Sequence, residues 1–167
     1  WTASLDMNVS SGLTIHNENI YFGTNDGMYH GYDLATLVNS YSLFDSLNFI
    51  DFLDDKALES TMSVQLKSEA SSPAIGIDDL IIIKLDDGDT SAINIKNNNI
   101  EWNYKGRNVP LSIKGSGSIA SQNNNIYVPR DDGNIISLVS SSGKLNWLAS
   151  ISPRSGRNEL ESLRDVE

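Results

Sequence analysis

Ile20-Tyr21-Phe22-Gly23-Thr24-Asn25-Asp26-Gly27 is a short β-branched and aromatic run that ends on Asp-Gly, and it occurs three times. The second copy reads Ile81-Ile82-Ile83-Lys84-Leu85-Asp86-Asp87-Gly88. The third reads Ile126-Tyr127-Val128-Pro129-Arg130-Asp131-Asp132-Gly133. Glycine tolerates positive φ, so each Asp-Gly predicts a hairpin turn after a strand. A further strand is expected beyond each turn, over Met28 to Leu34, Asp89 to Ile95 and Asn134 to Val139. A second turn follows, plainest in Asn97-Asn98-Asn99 and Ser141-Ser142-Gly143-Lys144. The next strand then places an aromatic residue, Tyr41, Trp102 or Trp147, 14 residues after the Asp-Gly glycine each time. Three copies at one spacing make an internal repeat, and a repeat decides the fold before local propensities do.

Upstream of each copy lies another short strand with small residues, at Gly12 to His16, Ser72 to Gly76 and Ser116 to Ala120. Each unit therefore predicts four antiparallel strands, and about 40–50 residues per four-stranded unit is the signature of a propeller blade. The expected fold class is all-β, a β-propeller of which this chain supplies about three to four blades. The division is a blade end over 1–10, blades over 11–43, 68–105 and 106–151, and the start of a next blade over 152–167. Trp1 fits the closing aromatic of a preceding blade. The Asp-Gly glycines of the second and third units lie 45 residues apart, those of the first and second 61. The extra residues are assigned to an insertion over 44–67. There Asp51, Asp54, Asp55 and Glu59 alternate with Phe49, Phe52, Leu53 and Leu58. It reads equally as a short amphipathic helix, an extended hairpin or a solvated acidic loop.

A four-stranded blade cannot bury both faces alone, so blades stack around an axis. The large rings at the ends of the units then serve inter-blade packing rather than cofactor stacking. Composition agrees: 39% of the residues are apolar, and Ile and Leu are interleaved with Ser, Asn, Asp and Gly, which suits short half-buried strands. The formal net charge of −10 argues against nucleic-acid binding, which needs a basic face, and leaves room for a cationic protein partner. The absence of cysteine excludes a disulfide framework, a thiolate metal cluster and a thiol nucleophile. No apolar run approaches the roughly 18 residues of a membrane span. Trp1-Thr2-Ala3-Ser4 does not open a signal peptide.

Chemistry-bearing constellations are few. His16 and His30 are expected on neighbouring strands of one blade as ordinary surface or half-buried residues. Asp86, Asp87, Asp131 and Asp132 lack the spacing of a calcium loop and its closing Glu, and hairpin turns account for them. Gly115-Ser116-Gly117-Ser118 has no Gly-Lys-Ser/Thr to make a phosphate loop, and no serine sits in a Gly-x-Ser-x-Gly elbow. No catalytic, cofactor-binding or metal-binding residue is therefore assigned.

The pattern of Asp-Gly, strand, Ser-Ser-Gly-Lys and Trp, with Trp102-Asn103-Tyr104-Lys105 and Lys144-Leu145-Asn146-Trp147, resembles the pyrroloquinoline-quinone-type propeller repeat. That superfamily includes enzymes, sensors and scaffolds, so it implies fold rather than function. Two stretches are more specific. They are Val109-Pro110-Leu111-Ser112-Ile113-Lys114-Gly115 and the tail from Ile151-Ser152 through Ser155-Gly156-Arg157-Asn158-Glu159 to Leu163-Arg164-Asp165-Val166-Glu167. Together they resemble the BamB family, lipoprotein subunits of the outer-membrane β-barrel assembly machinery. The resemblance implies half of an eight-bladed ring, lipid-anchored in the family at the periplasmic face of the outer membrane. It implies a non-catalytic platform without cofactors that docks on the periplasmic domain of the barrel-forming subunit and aids unfolded outer-membrane proteins. Carried over by position, the partner-contacting residues are Leu111, Ile113 and Lys114 in the first loop and Asp165 and Glu167 in the second. Ile113, Lys114 and Glu167 replace the family's Leu, Arg and Asp. Lys for Arg matters most, because an ammonium cannot form a bidentate fork.

Without the family, the residues support the same site less strongly. Leu111 and Ile113 alternate and so point to one side. Beside Pro110 and Gly115 they fit either an apolar anchor on a rim loop or residues packed beneath the rim of their own blade. Two rival classes share the repeat. A quinone-dependent dehydrogenase needs a bound quinone, calcium and usually a vicinal cysteine pair, and no cysteine exists here. A ligand-sensing propeller of a receptor or kinase is the other. Three blades leave apolar faces at both ends, as in an uncapped solenoid, so the isolated chain is expected to pair with a second copy.

Overall fold

The computed structural model describes residues 7–36, 60–106 and 117–151. Twelve strands among them form three four-stranded antiparallel sheets. The first holds β1 (Thr14–His16), β2 (Asn19–Gly23), β3 (Met28–Asp33) and β4 (Met62–Gln65). The second holds β5 (Ile75–Ile77), β6 (Leu80–Lys84), β7 (Thr90–Asn94) and β8 (Asn99–Tyr104). The third holds β9 (Ala120–Gln122), β10 (Asn125–Pro129), β11 (Asn134–Val139) and β12 (Leu145–Ser150). Spatial order follows chain order in every sheet. This is the blade meander of a β-propeller. The first strands of the second and third blades begin at Ile75 and Ala120, a few residues beyond the expected starts.

One expectation is corrected. The outer strand of the first blade is not the stretch around Tyr41. It is β4, which lies inside the span assigned to an insertion over 44–67 and pairs with β3 through Tyr29↔Val64 and Gly31↔Met62. The extra residues therefore fall between the third and fourth strands of one blade, and the blade does not end at 43. The pairing register identifies the true equivalents: Gly31 faces Met62, Ala92 faces Trp102 and Ser137 faces Trp147. Each partner lies four residues after its Asp-Gly glycine. Met62 thus occupies the place of the two tryptophans. Tyr41 matches the spacing by coincidence, and it lies outside the described residues, as do Trp1 and the acidic run from Asp51 to Glu59.

Side chains alternate across a strand, and β6 shows what this does at a blade buried on both sides. Ile81, Ile83 and Leu85 join Tyr21, Tyr29, Met62 and Val64 of the first blade in one apolar cluster. Ile82 points the other way, to Ile126, Val128, Ile136 and Leu138 of the third. A continuous apolar run is the pattern expected of a strand covered on both faces. Ile81, Ile82 and Ile83 are fully buried.

The expected ring lock is present where both partners are described. Trp102 packs against the third blade's apolar cluster. Its Nε1–H donates to the Ser140 carbonyl at 2.9 Å. Its ring lies over Gly143, where a Cβ would collide with the indole and where φ is +65°. Only glycine meets both demands at that turn. Trp147 packs against Tyr127 with the rings tilted, 5.9 Å between centroids, but is 45% exposed.

The first strands come together on the opposite edge of the blades. Thr14 Oγ1 donates to the Ala74 carbonyl at 2.8 Å, and the His16 ring lies where a Cβ on Gly76 would stand. His16 Nε2 also reaches the Asp78 carbonyl at 2.8 Å. His30 is on β3, separated from His16 by β2 rather than on a neighbouring strand, and its ring packs against Phe22 and Tyr32. Both histidines are explained by packing.

Candidate functional site

The three Asp-Gly turns line one rim, and each is built the same way. Thr24, Leu85 and Arg130 each donate a backbone N–H to the residue four positions on, Met28, Asp89 and Asn134, at 2.9 Å. The glycine N–H groups of Gly27, Gly88 and Gly133 bond back to the carbonyls of Thr24, Leu85 and Arg130 at 3.0–3.1 Å. Gly27, Gly88 and Gly133 have φ of +79°, +84° and +77°. This is the three-residue hairpin that closes on a left-handed glycine. The aspartate before each glycine tightens it. The Oδ1 atoms of Asp26, Asp87 and Asp132 accept from the N–H two residues on at 3.2, 3.0 and 3.2 Å. The Thr24 hydroxyl and the Met28 N–H hold the exposed Asp26 carboxyl below the usual range.

The chain leaves every blade at this same rim. Leu66 N–H donates to the Gly27 carbonyl at 2.9 Å and Ile151 N–H to the Gly133 carbonyl at 3.0 Å. The second blade departs from the pattern. Gly106 N–H donates to Asp89 Oδ1 at 2.8 Å, and a Cβ at Gly106 would run into the Gly88 carbonyl. Asp89 Oδ2 also takes Lys67 Nζ at 3.1 Å, and Lys67 bonds Asp87 at 2.9 Å. These two carboxylates raise the Lys67 ammonium above its ordinary value. Arg130 of the third blade reaches the Gly88 carbonyl with Nη1 at 3.4 Å. Beside it, Lys84 of the second blade pairs with Asp131 of the third at 3.1 Å, the lysine side chain 6% exposed. The rim is thus cross-tied from blade to blade by charged groups.

Leu111, Ile113, Lys114, Asp165 and Glu167 lie outside the described residues. The chain enters the first of their two segments after Gly106 and the second after Ile151, so both segments begin at neighbouring Asp-Gly turns. The residues that sequence reasoning missed are Lys84, Asp89, Lys67 and Arg130. A signal for the first two was present in the repeat. Lys84 stands where the other copies have Gly23 and Pro129, and Asp89 where they have Met28 and Asn134. A charge inside an isoleucine run demands a partner. Among the described residues, no group of three or more His, Asp and Glu is placed to hold a metal ion, and no helix is long and apolar enough to cross a membrane.

Three stacked four-stranded blades with a cross-tied rim define a blade-repeat β-propeller. Comparison with known proteins narrows the class. A family model described as outer membrane protein assembly factor BamB matches residues 56–167, and the chain belongs to that family. A curated relative, the outer membrane protein assembly factor BamB of Shewanella oneidensis, is 26% identical over 97 residues, covering 58% of this chain and 24% of the relative. Among solved structures, BamB from Moraxella catarrhalis superposes with a TM-score of 0.78 at 18% identity, over 99% of this chain and 44% of that one. The chain therefore spans less than half the length of the relatives it matches. The quinohemoprotein alcohol dehydrogenase of Comamonas testosteroni shares the fold at a TM-score of 0.58 and 8% identity, over 86% of this chain and 21% of that one.

Proposed function

We propose that this chain is part of a non-catalytic scaffold of outer-membrane protein assembly, acting at the periplasmic face of the outer membrane. In this reading it docks on the periplasmic domain of the barrel-forming assembly subunit and aids insertion of unfolded β-barrel proteins. Leu111 and Ile113 supply an apolar anchor, Lys114 its polar edge, and Asp165 and Glu167 a charged contact from the neighbouring segment. The observation that carries the reading is the common origin of the two segments: Gly106 is tied at the Gly88 turn and Ile151 at the Gly133 turn of the next blade. Two short contact stretches on adjacent blades give one partner a composite surface, with a few anchors carrying most of the affinity.

The test is capture of the partner's purified periplasmic domain by this chain. Leu111→Ser with Ile113→Ser is expected to weaken binding by about tenfold or more, the loss of one well-buried anchor being worth about 1.4 kcal/mol or more, with the unfolding midpoint unchanged. Unchanged affinity removes both residues from the site. The dehydrogenase alternative predicts stoichiometric quenching of tryptophan fluorescence by pyrroloquinoline quinone with calcium, which the scaffold reading excludes.

The 167-residue chain in isolation is also expected to pair with a second copy. Leu145, Trp147 and Leu148 of β12 are all exposed, on the blade that has no described neighbour beyond it. A monomer by light scattering at micromolar concentration would sink the pairing and leave the docking proposal untouched.

A further inference from the structure

Among the described residues, the second blade secures its exit with a buried carboxylate, where the first and third use a backbone bond, from Leu66 to Gly27 and from Ile151 to Gly133. In the first blade that bond is joined by Gln65 Nε2 donating to the Asp26 carbonyl at 3.3 Å. In the second, the Asp89 carboxylate takes the Gly106 N–H on Oδ1 and Lys67 on Oδ2. Asp89 is buried, its side chain 5% exposed. A carboxylate withdrawn from water costs free energy unless its oxygens are satisfied, and here both are. Lys67 arrives from the connection between the first two blades and Arg130 from the third, so the point where Gly106 leaves is braced from both sides. Gly106 itself admits no side chain against Gly88. A hairpin alone does not require this arrangement, because Met28 and Asn134 occupy the Asp89 position in the other two turns.

We propose that Asp89 is a positioning residue for docking: it fixes the backbone at Gly106 and thereby the start of the segment that carries Leu111, Ile113 and Lys114. The proposal rests on the docking function above. Fixing a binding segment in advance lowers the ordering cost of association. Asp89 touches no partner; it acts through Gly106.

The experiment pairs two readouts on the same samples of the full chain: affinity for the partner's purified periplasmic domain, and amide hydrogen exchange at Gly106 and at Ile81 to Ile83. Asp89→Ala is expected to speed exchange at Gly106, leave the Ile81 to Ile83 core protected and weaken binding by about tenfold. Asp89→Asn keeps an oxygen for the Gly106 N–H and should recover most of that loss. Gly106→Ala displaces the exit without touching the carboxylate and should weaken binding to a similar degree, which keeps the test open if Asp89→Ala does not fold. Gly106 exchange unchanged in Asp89→Ala overturns the proposal, and so does full affinity in Asp89→Ala or Gly106→Ala. If the unsubstituted chain captures no partner domain, the docking function fails first. Accelerated Gly106 exchange in Asp89→Ala would then mark a purely structural tie and end the positioning role.

Discussion

Trp102 contributes to the blade interface in two separable ways, by covering apolar surface and by one hydrogen bond. Trp102→Phe keeps most of the ring area and removes the bond to Ser140, for an expected loss of about 1 kcal/mol. Trp102→Ala removes both and is expected to cost about 2–3 kcal/mol, below the range for fully buried rings because the indole is only half-buried. Gly143→Ala attacks the same contact from the other blade, through strain at positive φ and collision with the indole. Urea midpoints of the two single variants and the double variant should be clearly non-additive, since both act on one contact. Additive losses would separate the indole from the glycine turn. Asp26 permits a pH prediction. Its folded pKa is depressed, so its stabilising contribution is complete above the ordinary carboxylate value of roughly 3.9. That contribution is lost as pH falls through the lower folded value. Asp26→Ala should therefore lose less stability than the parent between neutral pH and pH about 3, measured by denaturant midpoints at both.

The strands and turns were largely readable from the sequence because each blade repeats its own chemistry. Asp-Gly and the following strand lie within a few residues of one another, and three copies removed the ambiguity that a single copy of Ile81-Ile82-Ile83 would carry between strand and buried helix. The outer strand of the first blade was not readable. Met62 lacks the ring that marks Trp102 and Trp147, and the pairing that reveals it joins residues far apart in sequence. The rim's charged ties were half readable, as departures of Lys84 and Asp89 from the template, but their partners were not: the pairing of β7 with β8 brings Gly106 to Asp89, and only the stacking of blades brings Asp131 to Lys84. Lys84 and Asp131 make the clearest test of that stacking. Asp131→Ala leaves a deeply buried ammonium unpaired and should cost about 3–5 kcal/mol. Lys84→Met should cost less, because Asp131 is 19% exposed and can rehydrate. Equal losses in chemical denaturation would contradict the asymmetry.

Fold and family were accessible from this chain, while the contact residues named for docking depend on position in a repeat shared with proteins of other functions. Leu111, Ile113, Lys114, Asp165 and Glu167 are judged by binding; the described rim shows only that the chain leaves toward their two segments from the turns of adjacent blades. The net charge of −10 adds an expectation: association with a cationic partner surface should be faster at low ionic strength and slow as salt rises. A salt-independent association rate would locate the recognition in the apolar anchor alone.

The placement of β4 has a kinetic consequence. In the second and third blades the outer strand returns after residues 95–98 and 140–144, whereas in the first it returns only after residues 34–61. Closing that longer connection carries an added entropic cost of about 1.5 kcal/mol on chain statistics alone. The outermost ladder of the first blade is therefore expected to zip last during folding, even though Met62 and Val64 end up in the core; pulse-labelled amide exchange that protected Met62 and Val64 as early as Ile81 to Ile83 would contradict this.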